Sequence, residues 1–173
     1  LLEDPNVLNA NTPKFQSVID MYGFSVSNGV VMEQDDDKMI HNMPGFVITD
    51  VDTNTSITKN LNMNVTMCLM DPGKIEFKDS ETLNQLGVSY ETIAKASQTA
   101  FLTKKVNDEK TSKLIVYSNA IFSTNMSISM SNSTMSAISF YNNEDMIVNS
   151  VNYLTEKENS ITIRKKYGDT VKF

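Results

Sequence analysis

The run Lys113-Leu-Ile-Val-Tyr117 constrains the fold more than any other part of the sequence. An apolar run of strand length between polar residues predicts a strand that is buried on both faces in the centre of a sheet. Shorter runs of the same kind predict further strands: Val30–Glu33, Phe46–Ile48, Val65–Met70, Ile75–Phe77 and Ser160–Arg164. We therefore expect a sheet built around Ile115.

The first helix is predicted near the N-terminus. Thr12 is suited to the N-cap, Pro13 to the first helical position, and apolar residues then recur at helical spacing up to Tyr22, where Gly23 ends the pattern. A short helix is expected at 56–60. The segment 89–103 has mixed signals, helical composition first and strand alternation later, and we expect it to be extended.

The second clear helix begins at Asn142 or Asn143, either of which can cap it. Glu144 and Asp145 fall in its first turn, where a negative charge favours the positive end of the helix dipole. Its expected buried stripe is Met146, Ile147, Val151 and Leu154. Strands that alternate with helices predict an α/β architecture with a partly parallel sheet.

A chain of 173 residues is the usual size of one domain, so we expect a single core. The segment 123–139 is rich in Ser, Met and Asn and carries no charge. It predicts a mobile insertion, in which Met126, Met130 and Met135 are the methionines expected to be exposed.

The overall charge limits the partners of this chain. Its formal net charge is -6 and its pI is about 4.8. Binding to nucleic acid depends on clustered Lys and Arg, and so does electrostatic binding to anionic lipid. Neither a nucleic acid nor a charged membrane surface is an expected partner.

The sequence offers little material for catalysis. Cys68 is the single cysteine and lies in a predicted buried strand, far in sequence from His41, the single histidine. A core cysteine and a surface histidine are expected rather than a catalytic pair. No Gly-x-Ser-x-Gly turn and no phosphate-binding glycine loop is present.

Metal and cofactor sites are not expected. Asp35, Asp36 and Asp37 are adjacent, so their carboxylates point in different directions, and a solvated acidic loop is favoured over a cation site. Zinc would lack ligands, because the chain has one cysteine and one histidine.

The last third of the chain resembles a known family. The segment Asn143-Glu-Asp-Met-Ile-Val-Asn-Ser-Val-Asn-Tyr-Leu154, followed by Ile161-Thr-Ile-Arg-Lys165, is similar to a motif of GldG-like auxiliary proteins of ABC-type transport systems. The strand at 113–122 resembles the family's strand before this helix, with Ser118-Asn-Ala-Ile121 in place of its acidic turn. Looser similarity at 15–33 and 93–101 extends the resemblance over most of the chain.

The resemblance implies a three-layer, flavodoxin-like or glutamine-amidotransferase-like sheet with flanking helices and without the catalytic residues of that class. It implies a bacterial, membrane-anchored protein whose transmembrane segments lie outside this sequence, in a family also associated with gliding motility. Residues 1–173 would be one extracytoplasmic domain that lacks its first part, since Leu1 is not an initiator methionine. The family's partners are transporter membrane or ATPase subunits, or an envelope protein or polysaccharide.

These observations favour a non-catalytic binding module. The candidate binding residues are Asn119, Phe122, Asn143 and Asp145, because ligands of open α/β sheets bind where strands end and helices begin. Capping is the competing role for Asn143 and Asp145. Two other functions remain open: a degenerate amidotransferase-like or hydrolase-like enzyme, which would need a reactive Cys68, and a purely structural spacer.

Overall fold

The computed structural model describes residues 13–26, 29–59, 61, 65–94, 99–130 and 133–156. This part of the chain is a mixed α/β structure with three helices and several small antiparallel sheets. The helices are α1 (Pro13–Tyr22), α2 (Ser80–Leu86) and α3 (Asn143–Leu154). The strands are β1 (Phe24–Val26), β2 (Met39–Ile40), β3 (Met43–Asp50), β4 (Thr66–Met70), β5 (Ile75–Phe77), β6 (Val88–Ala94), β7 (Thr99–Lys105), β8 (Thr111–Val116), β9 (Ser127–Met130) and β10 (Ser133–Ser136).

Two three-stranded sheets form the body of the described structure. One has the order β2-β3-β4 and the other β6-β7-β8. They are joined where the backbone N–H of Asp52 donates to the carbonyl of Ile93 at 2.7 Å, beside a bridge between Val51 and Ala94. Two further two-stranded pairs lie outside these sheets: β1 with β5, which are distant in sequence, and the β9–β10 hairpin.

The side chains of the two sheets divide the interior into three apolar clusters. The central cluster joins Met67 and Leu69 of β4 to Phe101 of β7 and Met146 of α3. On the far side of the second sheet, Leu102 and Val116 pack with residues of α1, α2, β1 and β5. The third cluster lies on the other side of β4.

That third cluster shows why β4 is buried on both faces. Cys68 and Met70 alternate with Met67 and Leu69, and they pack with Ile128 of β9 and Phe140. Successive side chains of a strand point to opposite faces, so a strand of five apolar or small residues can serve two clusters at once. The sequence expectation of a buried strand at 65–70 is confirmed.

The predicted run at 113–117 is also confirmed as a strand, β8. Its Ile115 and Val116 are buried on opposite faces. Among the described strands, however, the central strand of the β6-β7-β8 sheet is β7, which is formed by the later part of the segment 89–103. The expectation of extended structure at 89–103 is confirmed by β6 and β7, with 95–98 outside the described residues.

The expected parallel pairing is not found, because every described pair of strands is antiparallel. The physical reason is the length of the connections. Only 106–110 separates β7 from β8, whereas a parallel crossover needs a dozen or more residues. The predicted strand at 30–33 is absent: Val31 and Glu33 donate singly to the carbonyls of Pro72 and Pro44, which makes no ladder.

Helix α1 begins at Pro13 and ends at Tyr22, as predicted, while Thr12 lies outside the described residues. Gly23 follows with φ 65°, and a Cβ there would lie 2.7 Å from Leu83 Cδ2. A glycine is therefore favoured by the left-handed turn, and any larger residue would also displace the Leu83 side chain of α2. The expected helix at 56–60 is only a turn, closed by the N–H of Lys59 on the carbonyl of Thr55 at 3.0 Å.

Two further expectations are wrong. The segment 123–139 is not a loose insertion in its described part: it forms the β9–β10 hairpin, with Ile128 and Ala137 in the third cluster. On α3, Met146 is buried as expected, but Val151 is 53% and Leu154 42% exposed. Ser150 takes the buried position instead, because its hydroxyl lies 2.6 Å from the buried hydroxyl of Tyr117. The predicted strand at 160–164 lies outside the described residues.

Lys104 of β7 hydrogen-bonds to the C-terminal ends of two helices, α1 and α2. Its Nζ donates to the carbonyl of Met21 at 3.1 Å and to that of Leu86 at 2.7 Å, the last turns of α1 and α2. The carbonyls at a helix C-terminus have no partner within the helix and carry partial negative charge. One ammonium group thus satisfies two helix ends.

We predict that Lys104→Met lowers the free energy of unfolding by about 1–2 kcal/mol, because two carbonyls lose a charged donor. Urea unfolding followed by circular dichroism measures the loss. Lys105→Met is the matched control, since the ion pair of Lys105 with Asp108 at 2.8 Å is highly exposed and should contribute less than about 0.5 kcal/mol. Equal losses in both variants would refute the capping role.

Candidate functional site

Three asparagines bind the outer edge of β4. In an antiparallel pair, alternate residues direct both N–H and C=O away from the partner strand. In β4 these residues are Thr66, Cys68 and Met70, which lie opposite Asp50, Ile48 and Phe46 of β3. An edge of this kind is costly to bury unless its polar groups are satisfied.

The asparagines satisfy these groups in sequence along the strand. Asn142 accepts the N–H of Thr66 at 3.2 Å through Oδ1 and donates its own backbone N–H to the carbonyl of Thr66 at 3.0 Å. Asn143 accepts the N–H of Cys68 at 3.0 Å and donates to its carbonyl at 2.8 Å. Asn119 donates to the carbonyl of Met70. We call this set of three residues the asparagine clamp.

The asparagine clamp contains two of the four residues predicted to bind a ligand. Asn119 and Asn143 are 2% and 0% exposed, and Phe122 is 0% exposed beneath them in the central cluster. Asn119 Oδ1 also accepts the N–H of Phe122 at 2.8 Å, which fixes the short helical turn that follows. The structure therefore brings these three together inside the protein, and their contact with a ligand stays a prediction.

The capping role is different from the one expected. Asn143 is the first residue of α3, and the N-cap is Asn142, whose side chain makes no capping bond. The side chain of Asn143 instead reaches β4, and it also donates to the carbonyl of Ala137 at 3.1 Å. Asp145 is half-buried and accepts from Asn142 Nδ2 at 3.2 Å, so it orients a residue of the asparagine clamp.

The structure has an open pocket at the junction of the two sheets, with a volume of about 360 Å³. This junction pocket is lined by Lys38, Ile48, Thr49, Asp50, Val51, Asp52 and Ile93. Its walls come from the end of β3, the residues just after it, the end of β6 and the turn before β2. The volume is within the range of small-ligand sites.

Charged and apolar groups meet in the junction pocket. Asp50 and Asp52 are exposed carboxylates and Lys38 is an exposed ammonium, while the half-buried Ile48 supplies apolar surface. Such a mixture suits a ligand with a cationic group next to an apolar one, or a protein loop of that character. Sequence reasoning missed this site, although two acids directly after a predicted strand were a signal for it.

The loop beside the pocket is held by hydrogen bonds within the chain, which range from buried to exposed. Glu91 accepts both the backbone N–H and the hydroxyl of Ser56, each at 2.7 Å. The hydroxyls of Thr55 and Thr58 lie 2.7 Å apart, and Asp52 accepts the N–H of Asn54 at 2.9 Å. The pocket wall at 50–58 is therefore preorganised by bonds within the chain.

The chemistry of a thiol enzyme has no support in the geometry. Cys68 is fully buried in β4, and desolvation by burial raises the pKa of its thiol to about 12. A thiol is nucleophilic as its thiolate, so this group is protonated at neutral pH. His41 lies in the exposed turn after β2 with φ 48°.

The described ranges contain neither a metal-binding cluster nor a membrane-spanning helix. No three or more His, Cys, Asp or Glu side chains there are grouped so that they could hold a metal ion. None of the helices in that part of the chain combines the length and apolarity needed to cross a membrane.

Comparison with known proteins found no family model, no curated protein and no solved structure that matches this chain.

We predict that Asn143→Ala destabilises the fold by about 3 kcal/mol, because it leaves the N–H and C=O of Cys68 buried without partners. Chemical unfolding gives the value. Asn149→Ala on the same helix is the control, since Asn149 makes one long bond of 3.4 Å to the carbonyl of Ile57. A loss of less than about 1 kcal/mol at Asn143 would be the size of a helix cap and would argue against the asparagine clamp.

We also predict that Cys68 of the folded protein is not modified by a maleimide or disulfide reagent at neutral pH. Burial removes both access to the thiol and its ionisation. Mass spectrometry of native and urea-unfolded samples measures the difference, and the unfolded chain should react fully. Rapid modification of the native protein would restore the thiol-enzyme hypothesis.

Proposed function

We propose that this chain is a non-catalytic binding module that engages another protein or a small ligand through the junction pocket. The observation that carries the proposal is the combination of an open, preorganised pocket with charged groups at its rim. Its carboxylates and its ammonium are exposed, whereas the thiol that an enzyme would need is enclosed by two clusters.

The biological setting follows from the resemblance. The motifs at 113–122 and 143–154 support an auxiliary protein of an ABC-type transport system, held on the extracytoplasmic side of a membrane by segments outside this sequence. In that setting the partners are the membrane or ATPase subunits of the transporter, or an envelope protein or polysaccharide. The three-layer, flavodoxin-like arrangement belongs to the same proposal and rests on the resemblance alone.

The pocket residues fit a basic partner surface. Asp50 and Asp52 contribute two negative charges to one rim of the junction pocket, on a molecule with a net charge of -6. Complementary charge increases both the rate and the specificity of association. We therefore expect the contacting surface to carry Lys or Arg next to apolar side chains.

The test is capture of the purified membrane and ATPase subunits of the cognate transporter, in detergent, by the immobilised chain. Asp50→Lys should weaken the binding by about tenfold or more, since it reverses the charge at the pocket rim. Glu109→Lys is the matched control: it changes the net charge equally at an exposed residue of the loop between β7 and β8, at the opposite end of that sheet from Ile93 of the pocket.

The outcomes separate the hypotheses. Binding that Asp50→Lys weakens and Glu109→Lys leaves intact supports the proposal. Binding that both variants weaken equally places the contact outside the junction pocket. A folded wild-type chain that captures no transporter subunit contradicts the transport assignment and favours a structural spacer.

A further inference from the structure

Within the described residues, the edge of β9 that faces away from β10 has no partner strand. Ala137 donates its N–H to the carbonyl of Met126 at 2.9 Å, so these two residues form a hydrogen-bonded pair. Hydrogen-bonded pairs then alternate with non-bonded pairs along the hairpin. Ser127 and Ser129 alternate with the bonded positions, so their N–H and C=O groups point away from β10. Both residues are exposed, and no bond to these outward groups is found from the described part of the chain.

This edge lacks the features that normally prevent strand pairing. Proteins protect edge strands with charged side chains, proline or bulges. Residues 114–143 contain no charged residue and no proline, although 21% of the whole chain is charged. The outer face of the hairpin carries only small hydroxyl side chains, those of Ser127, Ser129, Thr134 and Ser136. No bulky or charged side chain on this face therefore blocks a second strand.

An exposed apolar side chain adjoins the same edge. Met126 is 52% exposed, directly before β9, while Ile128 two residues later is 9% exposed in the third cluster. In a strand these two side chains share one face. A second strand placed along β9 would cover Met126 and extend the apolar face of the hairpin.

We infer that β9 is a dimerisation edge, which pairs antiparallel with β9 of a second copy of this chain. With the two-fold axis at Ser127, each Ser127 exchanges two backbone hydrogen bonds with its counterpart, and Ser129 lies opposite Asn125 of the other copy. Met126 then lies opposite the other copy's Ile128, so both exposed methionines are covered. Two hairpins become one four-stranded sheet.

A second copy fits this edge better than a charged partner does. Each molecule has a net charge of -6, so two copies repel each other over most of their surfaces. The uncharged segment at 114–143 is where that repulsion is smallest. Because one short strand contributes a limited area, we expect a dimer in the micromolar range rather than an obligate one.

The test is sedimentation equilibrium of the intact chain over a range from low micromolar to near-millimolar concentration. The wild type should pass from monomer to dimer, and added salt should strengthen the dimer, because salt screens the repulsion and removes no ion pair at the edge. A dimer that salt weakens would have a charged interface and would overturn the inference.

Two variants locate the interface. Ser127→Pro removes the central outward N–H without removing a bond of the hairpin, and Met126→Glu places a negative charge beside the two-fold axis. Each should weaken dimerisation by about tenfold or more. Met32→Glu is the matched control, since Met32 is 59% exposed elsewhere on the chain, and it should dimerise like the wild type.

Circular dichroism and urea unfolding must show that each variant is folded, and Met126→Glu keeps the test decisive if the proline variant is not. A wild type that stays monomeric throughout overturns the inference, and so does a dimer that persists in Met126→Glu. The transporter-capture experiment does not depend on β9, so the failure of one proposal leaves the other standing.

Discussion

The structure depends on the hydrogen bonds that close the outer edge of β4. This strand has apolar or small side chains on both faces, so its N–H and C=O groups are removed from water along with them. An unpaired backbone N–H or C=O buried in such a place lowers the stability of the fold by as much as several favourable contacts raise it. The asparagine clamp solves this problem with side chains, at alternating residues of the strand, where another protein would use a further strand. Asn142 and Asn143 also begin α3, so the edge and the helix are fixed together.

The position of β4 explains why Cys68 is buried and why the open polar surface lies elsewhere. Because the strand separates two apolar clusters, Cys68 is enclosed and its pKa is raised to about 12. The thiol is therefore inaccessible to solvent and protonated at neutral pH. Open polar surface occurs instead where the two sheets meet, and there the bonds of Glu91 to Ser56 hold the wall of the junction pocket in place. The binding module that we propose rests on this contrast between a buried thiol and an exposed, charged pocket rim.

Charge is distributed unevenly along the chain, and the structure shows a consequence. The segment 114–143 supplies all three residues of the asparagine clamp, the buried Phe122 and the hairpin, and none of its residues is charged. Uncharged amides and hydroxyls can be buried or paired with backbone without the desolvation cost of an ion. The same property that lets Asn119 and Asn143 enter the core leaves the β9 edge without electrostatic protection.

The sequence by itself determined the local elements whose signals are short-range: α1 with Pro13 and Gly23, the strands predicted at 65–70 and 113–117, and the start of α3. It determined the burial of Cys68 for the same reason, since apolar runs of strand length enter cores. Only the tertiary structure decided how the strands pair, which positions of α3 face inward and what Asn143 contacts. Pairing depends on partners distant in sequence, and an asparagine can cap a helix or bond a strand edge equally well. The packing of α3 against β4 decides between these two roles. It places Asn143 beside Cys68, which is 75 residues away in sequence.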